Sequence, residues 1–91
     1  MITSLKNDKV KLVRGVMANR RRRTQEGLFF IEGVHAITAA YAHGWDIRWL
    51  IACPEKAQTD WARDIIARTP AERLLEVNAY VHGELSDREA P

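Results

Sequence analysis

Apolar side chains recur along the first part of this chain at a spacing that predicts a helix. From Leu5 to about Arg20 the apolar residues fall on one side of a helical wheel, and Thr3 or Ser4 can cap the start of that helix. Gly15 lowers the helix propensity by about 1 kcal/mol relative to alanine. A single amphipathic helix is therefore expected near the N-terminus.

A continuous apolar run follows a turn at residues 25–27. Leu28–Ile31 consists of β-forming or large apolar residues without polar alternation. Such a run is typical of a strand that is covered on both faces. We therefore expect a central strand there, with Phe29 and Ile31 in the core.

The rest of the chain continues the alternation of helix and strand. A helix beginning near Val34 should end at Gly44, which can adopt a left-handed conformation, and a strand follows over Asp46–Ala52. The later predicted elements are a helix capped by Thr59 or Asp60 and ended by Pro70, a strand over 74–77, and a helix from Asn78 to Leu85. The order α, β, α, β, α, β, α predicts the α/β class, as a small three-layer α/β/α sandwich with a mainly parallel sheet.

Length and composition limit the organisation to one small domain. The chain has 91 residues, of which 46% are hydrophobic. We assign residues 1–85 to the domain and residues 86–91, which are polar, to the start of a linker. No apolar run approaches the roughly 18 residues that span a membrane, and Cys53 is the only cysteine. We expect a cytoplasmic protein without a membrane partner.

The charge is distributed unevenly along the chain. Eight basic residues and one acidic residue give residues 1–24 a net charge of +7, whereas residues 25–91 carry −5. This asymmetry indicates contact with a polyanion at one end or, as the alternative, a solvated basic segment.

Arginine predominates in the basic segment. The run Arg20–Arg23 can bind phosphate oxygens in a bidentate way, and Lys11 and Arg14 extend the basic surface upstream. A solvated helix terminus, where the macrodipole favours cations, is the alternative. We favour RNA binding.

Few residues suggest catalysis. His35, His43 and His82 have no spacing typical of metal ligands, and no nucleophile–base pair or dinucleotide-binding loop is evident. We predict no catalytic residue and no metal site. Among the tryptophans, Trp45 is the one expected to be exposed and able to stack on a base, whereas Trp49 fits a core position.

The chain resembles the SpoU-type (TrmH-like) RNA 2′-O-ribose methyltransferases. Residues 2–14 resemble the opening of that family, and the basic run with Gly27, Phe29 and Glu32-Gly33 resembles its next signature. In that family the N-terminal domain is similar to the kink-turn-binding ribosomal proteins and contacts the RNA substrate. A following domain binds S-adenosylmethionine, methylates the ribose and provides most of the homodimer interface.

The resemblance implies a substrate-recognition domain for ribosomal or transfer RNA that holds no cofactor itself. Its implied RNA-binding residues, together with the arginine run, are Lys9, Lys11, Arg14, Arg20, Arg21, Arg22, Arg23, Glu32 and Gly33. Glu32 could contact RNA or bond the next helix start, and Gly33 is expected to meet a backbone requirement. The alternatives are a stand-alone kink-turn-type RNA-binding protein and a protein-interaction adaptor.

Overall fold

The computed structural model describes residues 1–86, so most of the predicted linker lies outside the described residues. The α/β class and the parallel strand pairing are confirmed. The elements are α1 Asp8–Ala18, α2 Arg20–Glu26, α3 Val34–Ala42, β1 Leu50–Ala52, α4 Asp60–Arg68, β2 Leu74–Glu76 and α5 Ala79–Glu84, with a 3₁₀ turn over Ala71–Arg73. They form two compact units: residues 1–3 with 46–84, and residues 4–45 with the segment beginning at Leu85.

The first unit is built around a short parallel sheet. β1 and β2 pair with Leu50 opposite Leu74, and Ile2 forms a parallel bridge to Val77. The Ile2 amide donates to the Glu76 carbonyl at 2.8 Å, so the start of the chain adds a third line of pairing beside β2. The buried apolar residues of this unit are Leu50, Ala52, Cys53, Ile65, Leu75, Val77 and Val81.

The strand predicted over Asp46–Ala52 is shorter in the structure. At the start of the predicted strand, Arg73 donates hydrogen bonds to the Asp46 carboxylate at 3.1 Å and to the Ile47 carbonyl. That carbonyl is therefore used by an arginine rather than by a neighbouring strand. The predicted caps are confirmed: Thr59 accepts from the Ala62 amide, and Asn78 accepts from the Val81 amide.

The second unit contains α1, α2 and α3. The predicted helix start at Thr3 or Ser4 is wrong, because the Asn7 side chain accepts from the Lys9 and Val10 amides and caps α1. Asn19 then adopts an extended conformation, which ends α1. Its side chain accepts from the Arg22 amide at 3.1 Å and starts a second helix. The helix predicted from Leu5 to about Arg20 therefore corresponds to α1, and α2 is a second helix that the apolar pattern did not predict.

The central strand predicted over Leu28–Ile31 is also wrong. This segment joins no sheet within residues 1–86, and Phe29 is 65% exposed. A β-forming run becomes a strand only where a partner is available, and β2 has β1 and Ile2 as its partners. Phe29 instead contacts Trp45, with the ring centroids 5.8 Å apart.

Two glycines with positive φ delimit α3. Gly33 precedes the helix at φ 100° and ψ 157°, a conformation that residues with a Cβ rarely adopt. Gly44 follows it at φ 66°, as predicted, and donates to the Tyr41 carbonyl. The Trp45 amide donates to the Ala40 carbonyl at 3.0 Å, which completes a Schellman motif. The backbone of Trp45 is therefore held at the end of α3.

Candidate nucleic-acid interface

The α1 helix exposes three of the predicted RNA-binding residues. Lys9, Lys11 and Arg14 lie on its surface, whereas its buried residues are Val10, Val13 and Val16. Lys11 and Arg14 are three residues apart and are therefore neighbours on the helix. Packing of the valines fixes α1, and the cationic side chains remain accessible.

The four arginines form the first turn of α2. Arg20 and Arg21 are exposed, whereas Arg22 and Arg23 are half-buried. The Arg22 side chain lies against Gly15, where an added Cβ would be 3.4 Å from its Cγ. Because Gly15 lies four residues after Lys11, one turn along the same face of α1, this contact places Arg22 beside the basic side of α1.

Arg22 and Arg23 also have partners within the fold. Arg22 Nε lies 3.4 Å from Glu26 Oε2, one turn along α2. Arg23 Nη1 donates to the Val16 carbonyl at 2.9 Å and to the Met17 carbonyl at 3.1 Å. Both carbonyls belong to the last turn of α1, which has no intrahelical donors for them. Arg23 therefore fastens α2 to the end of α1.

The position of the arginines is electrostatically unfavourable for α2 by itself. The N-terminus of a helix carries a partial positive charge, so cations in the first turn are disfavoured by about 0.3–1 kcal/mol each. The alternative in which the macrodipole favours the run therefore does not apply, since the run begins a helix instead of ending one. Helix stability alone does not account for Arg20 and Arg21.

Glu32 and Gly33 lie at the start of α3. Glu32 Oε2 accepts a hydrogen bond from Ser86 Oγ at 2.8 Å, which joins residues far apart in sequence. Gly33 meets a backbone requirement, as predicted. An RNA contact by either residue stays a prediction.

The structure also places an exposed aromatic pair in this unit. Phe29 and Trp45 are 65% and 50% exposed. The exposure of Trp45 was predicted, but that of Phe29 was not, because its apolar neighbours suggested a buried strand. Its position after Gly27, which ends α2, was the available signal for a loop.

Neither a metal centre nor a membrane span is found in the described part of the chain. Residues 1–86 contain no group of three or more histidine, cysteine or acidic residues that could hold a metal ion. Their helices are too short or too polar to cross a bilayer.

Comparisons with known proteins agree with the resemblance. The model of the MRM3-like substrate binding domain matches residues 7–91. A 23S rRNA (uridine(2479)-2′-O)-methyltransferase from Streptomyces viridochromogenes is 32% identical over 73 residues, which cover 80% of this chain and 25% of that enzyme. The chain thus spans about a quarter of that relative's length, and no solved structure matches it. Because the family model covers nearly all of its residues, the chain belongs to the family of MRM3-like substrate binding domains.

Proposed function

We propose that this domain binds the RNA substrate of an S-adenosylmethionine-dependent rRNA 2′-O-ribose methyltransferase. The name of the Streptomyces relative supports ribosomal RNA as the substrate class. That relative is about four times as long as the matched region, which favours a domain of a larger enzyme over a stand-alone kink-turn-type protein.

We assign the methyl donor to the remainder of the parent enzyme. The glycines with positive φ in residues 1–86 are Gly27, Gly33 and Gly44, and each delimits a helix. The family model that matches residues 7–91 describes a substrate binding domain. The role of this domain is therefore to hold and orient the RNA.

One observation carries the proposal: exposed arginines occupy the first turn of α2 although the helix dipole disfavours them there. Arg20 and Arg21 have the planar guanidinium that binds phosphate oxygens in pairs. The α1 helix adds the cations of Lys9, Lys11 and Arg14. Contacts of Arg22 and Arg23 hold α1 beside α2. A phosphate backbone supplies the negative charge that this surface lacks.

Phosphate contacts of this kind set affinity and orientation more than sequence preference. The exposed residues Arg20 and Arg21 should bind the backbone, while Arg22 and Arg23 contribute mainly through the position of α2. This division separates RNA affinity from fold stability within one run of four arginines.

The test is the salt dependence of affinity for ribosomal-RNA hairpins. Each phosphate contact adds roughly 0.7–0.9 to the slope of log affinity against log salt, so Arg20→Met with Arg21→Met should flatten the slope by about 1.4–1.8. The matched control replaces Arg63 and Arg68, two exposed arginines of α4, by methionine. Identical slopes for the wild type and the α2 double variant would refute the assignment.

A further inference from the structure

The aromatic pair of the second unit has a geometry suited to a planar ligand. The rings of Phe29 and Trp45 are inclined at 71°, so the edge of one is directed at the face of the other. Such a contact occupies one face of one ring and leaves the faces of the other ring unused by the pair. Because Phe29 is 65% exposed and Trp45 is 50% exposed, a large aromatic area faces solvent.

The pair is also held in place by the backbone on both sides. The Trp45 amide is fixed to the Ala40 carbonyl in the Schellman motif that ends α3. Phe29 follows Leu28, whose amide donates to the Arg23 carbonyl at 3.1 Å in the last turn of α2. A backbone fixed in this way lowers the entropy that is lost when a ligand stacks on the two rings.

The exposed arginines of α2 are close enough to serve the same ligand. The seven residues of α2 rise about 10 Å along the helix axis. Arg20 and Arg21 begin this helix, and Phe29 lies two residues after Gly27, which ends it. A nucleic-acid strand carries one charge per about 3.4 Å along a helix, so a few nucleotides span this separation.

We propose that Phe29 and Trp45 form a stacking platform for an unpaired base of the RNA whose backbone contacts Arg20 and Arg21. This proposal rests on the proposed function. Stacking requires a base that is free of the helical stack, so the platform selects a loop, bulge or single-stranded end. The arginines bind backbone in any RNA, whereas the aromatic pair distinguishes unpaired from paired RNA.

Two RNAs and one double variant test the platform. Affinities are measured for a hairpin with a purine-rich loop and for a blunt duplex of the same stem. Phe29→Leu with Trp45→Leu should weaken hairpin binding about 5- to 150-fold for each stacked base and leave duplex binding unchanged. The salt slope should not change, because the lost contact is uncharged.

The matched control is Tyr80→Leu, which removes an exposed aromatic from α5 in the other unit and should leave both affinities unchanged. Phe29→Tyr and Trp45→Phe keep an aromatic ring and should keep hairpin affinity within a few-fold. A 2-aminopurine in the loop should be quenched by the wild type and not by the leucine double variant. These readouts separate stacking from a general loss of structure.

Three outcomes would overturn the inference. Equal weakening for hairpin and duplex would assign the loss to a structural effect, and no weakening would show that the rings do not contact the base. Sedimentation that shows self-association abolished by Phe29→Leu would assign the rings to an interface between two copies. If the wild type binds neither RNA, the proposed function itself fails.

Discussion

Replacing Arg23 should separate the structural arginine from those that we assign to RNA. Arg23→Met keeps the aliphatic stem and removes the donors that bind the Val16 and Met17 carbonyls. Hydrogen bonds from a charged group contribute about 1.5–3 kcal/mol each, but water can replace part of this at a half-buried site. We therefore expect the free energy of unfolding to fall by about 1–3 kcal/mol.

Thermal unfolding measures this loss directly. In a domain of this size, each kcal/mol lowers the midpoint by about 4–8 °C, so Arg23→Met should unfold at least 4 °C below the wild type. Arg21→Met is the matched control, because the exposed Arg21 should contribute less than about 0.5 kcal/mol. Equal midpoints for the two variants would show that the contact between Arg23 and α1 does not stabilise the fold.

Two glycine substitutions should change stability in opposite directions, measured by urea unfolding. Gly33→Ala should lower the free energy of unfolding by about 1–3 kcal/mol, because a Cβ has space there but φ 100° is unfavourable for alanine; an unchanged midpoint would contradict the strain argument. Gly15→Ala should raise it by up to about 1 kcal/mol through helix propensity, since the new Cβ would make an ordinary 3.4 Å contact with Arg22 Cγ; a clear loss of stability would mean that Arg22 requires the closer approach.

The parts of the fold that depend on local chemistry were predictable from the sequence. Thr59 and Asn78 cap helices as their side chains suggest, and Gly44 ends α3 in the left-handed conformation. Each of these effects acts within a few residues, so neighbouring residues suffice to predict it.

The wrong predictions concern residues whose conformation depends on distant partners. The run 28–31 has strand propensity, but the described sheet is completed by Ile2 at the edge of β2, which no local pattern reveals. The break at Asn19 was missed for another reason, because α2 consists of polar residues and has no apolar pattern that would predict a helix. The asparagine ends one helix and caps the next, and that double role gave Arg23 its access to the carbonyls of α1.

The candidate site also combines features that the sequence predicts with features that only the structure shows. The basic character of the surface follows from residue identities alone, since residues 1–24 carry a charge of +7. Residue identities do not show which arginines are available to a ligand, because Arg22 and Arg23 are half-buried only through the break at Asn19. The exposure of Phe29 required the structure as well.

The short helix α2 unites these observations. Helices shorter than about 12 residues are marginal by themselves, and cations in the first turn weaken α2 further. It is held by contacts at each end: the Asn19 cap, the Arg23 bonds to α1 and the left-handed Gly27. Tertiary contacts thus keep Arg20 and Arg21 at a helix end that disfavours cations, and no acidic side chain within residues 1–86 forms an ion pair with them. In the proposed complex, RNA phosphates supply the negative charge that Arg20 and Arg21 lack in the free domain. The cations that weaken the free helix are therefore the ones that favour binding of RNA.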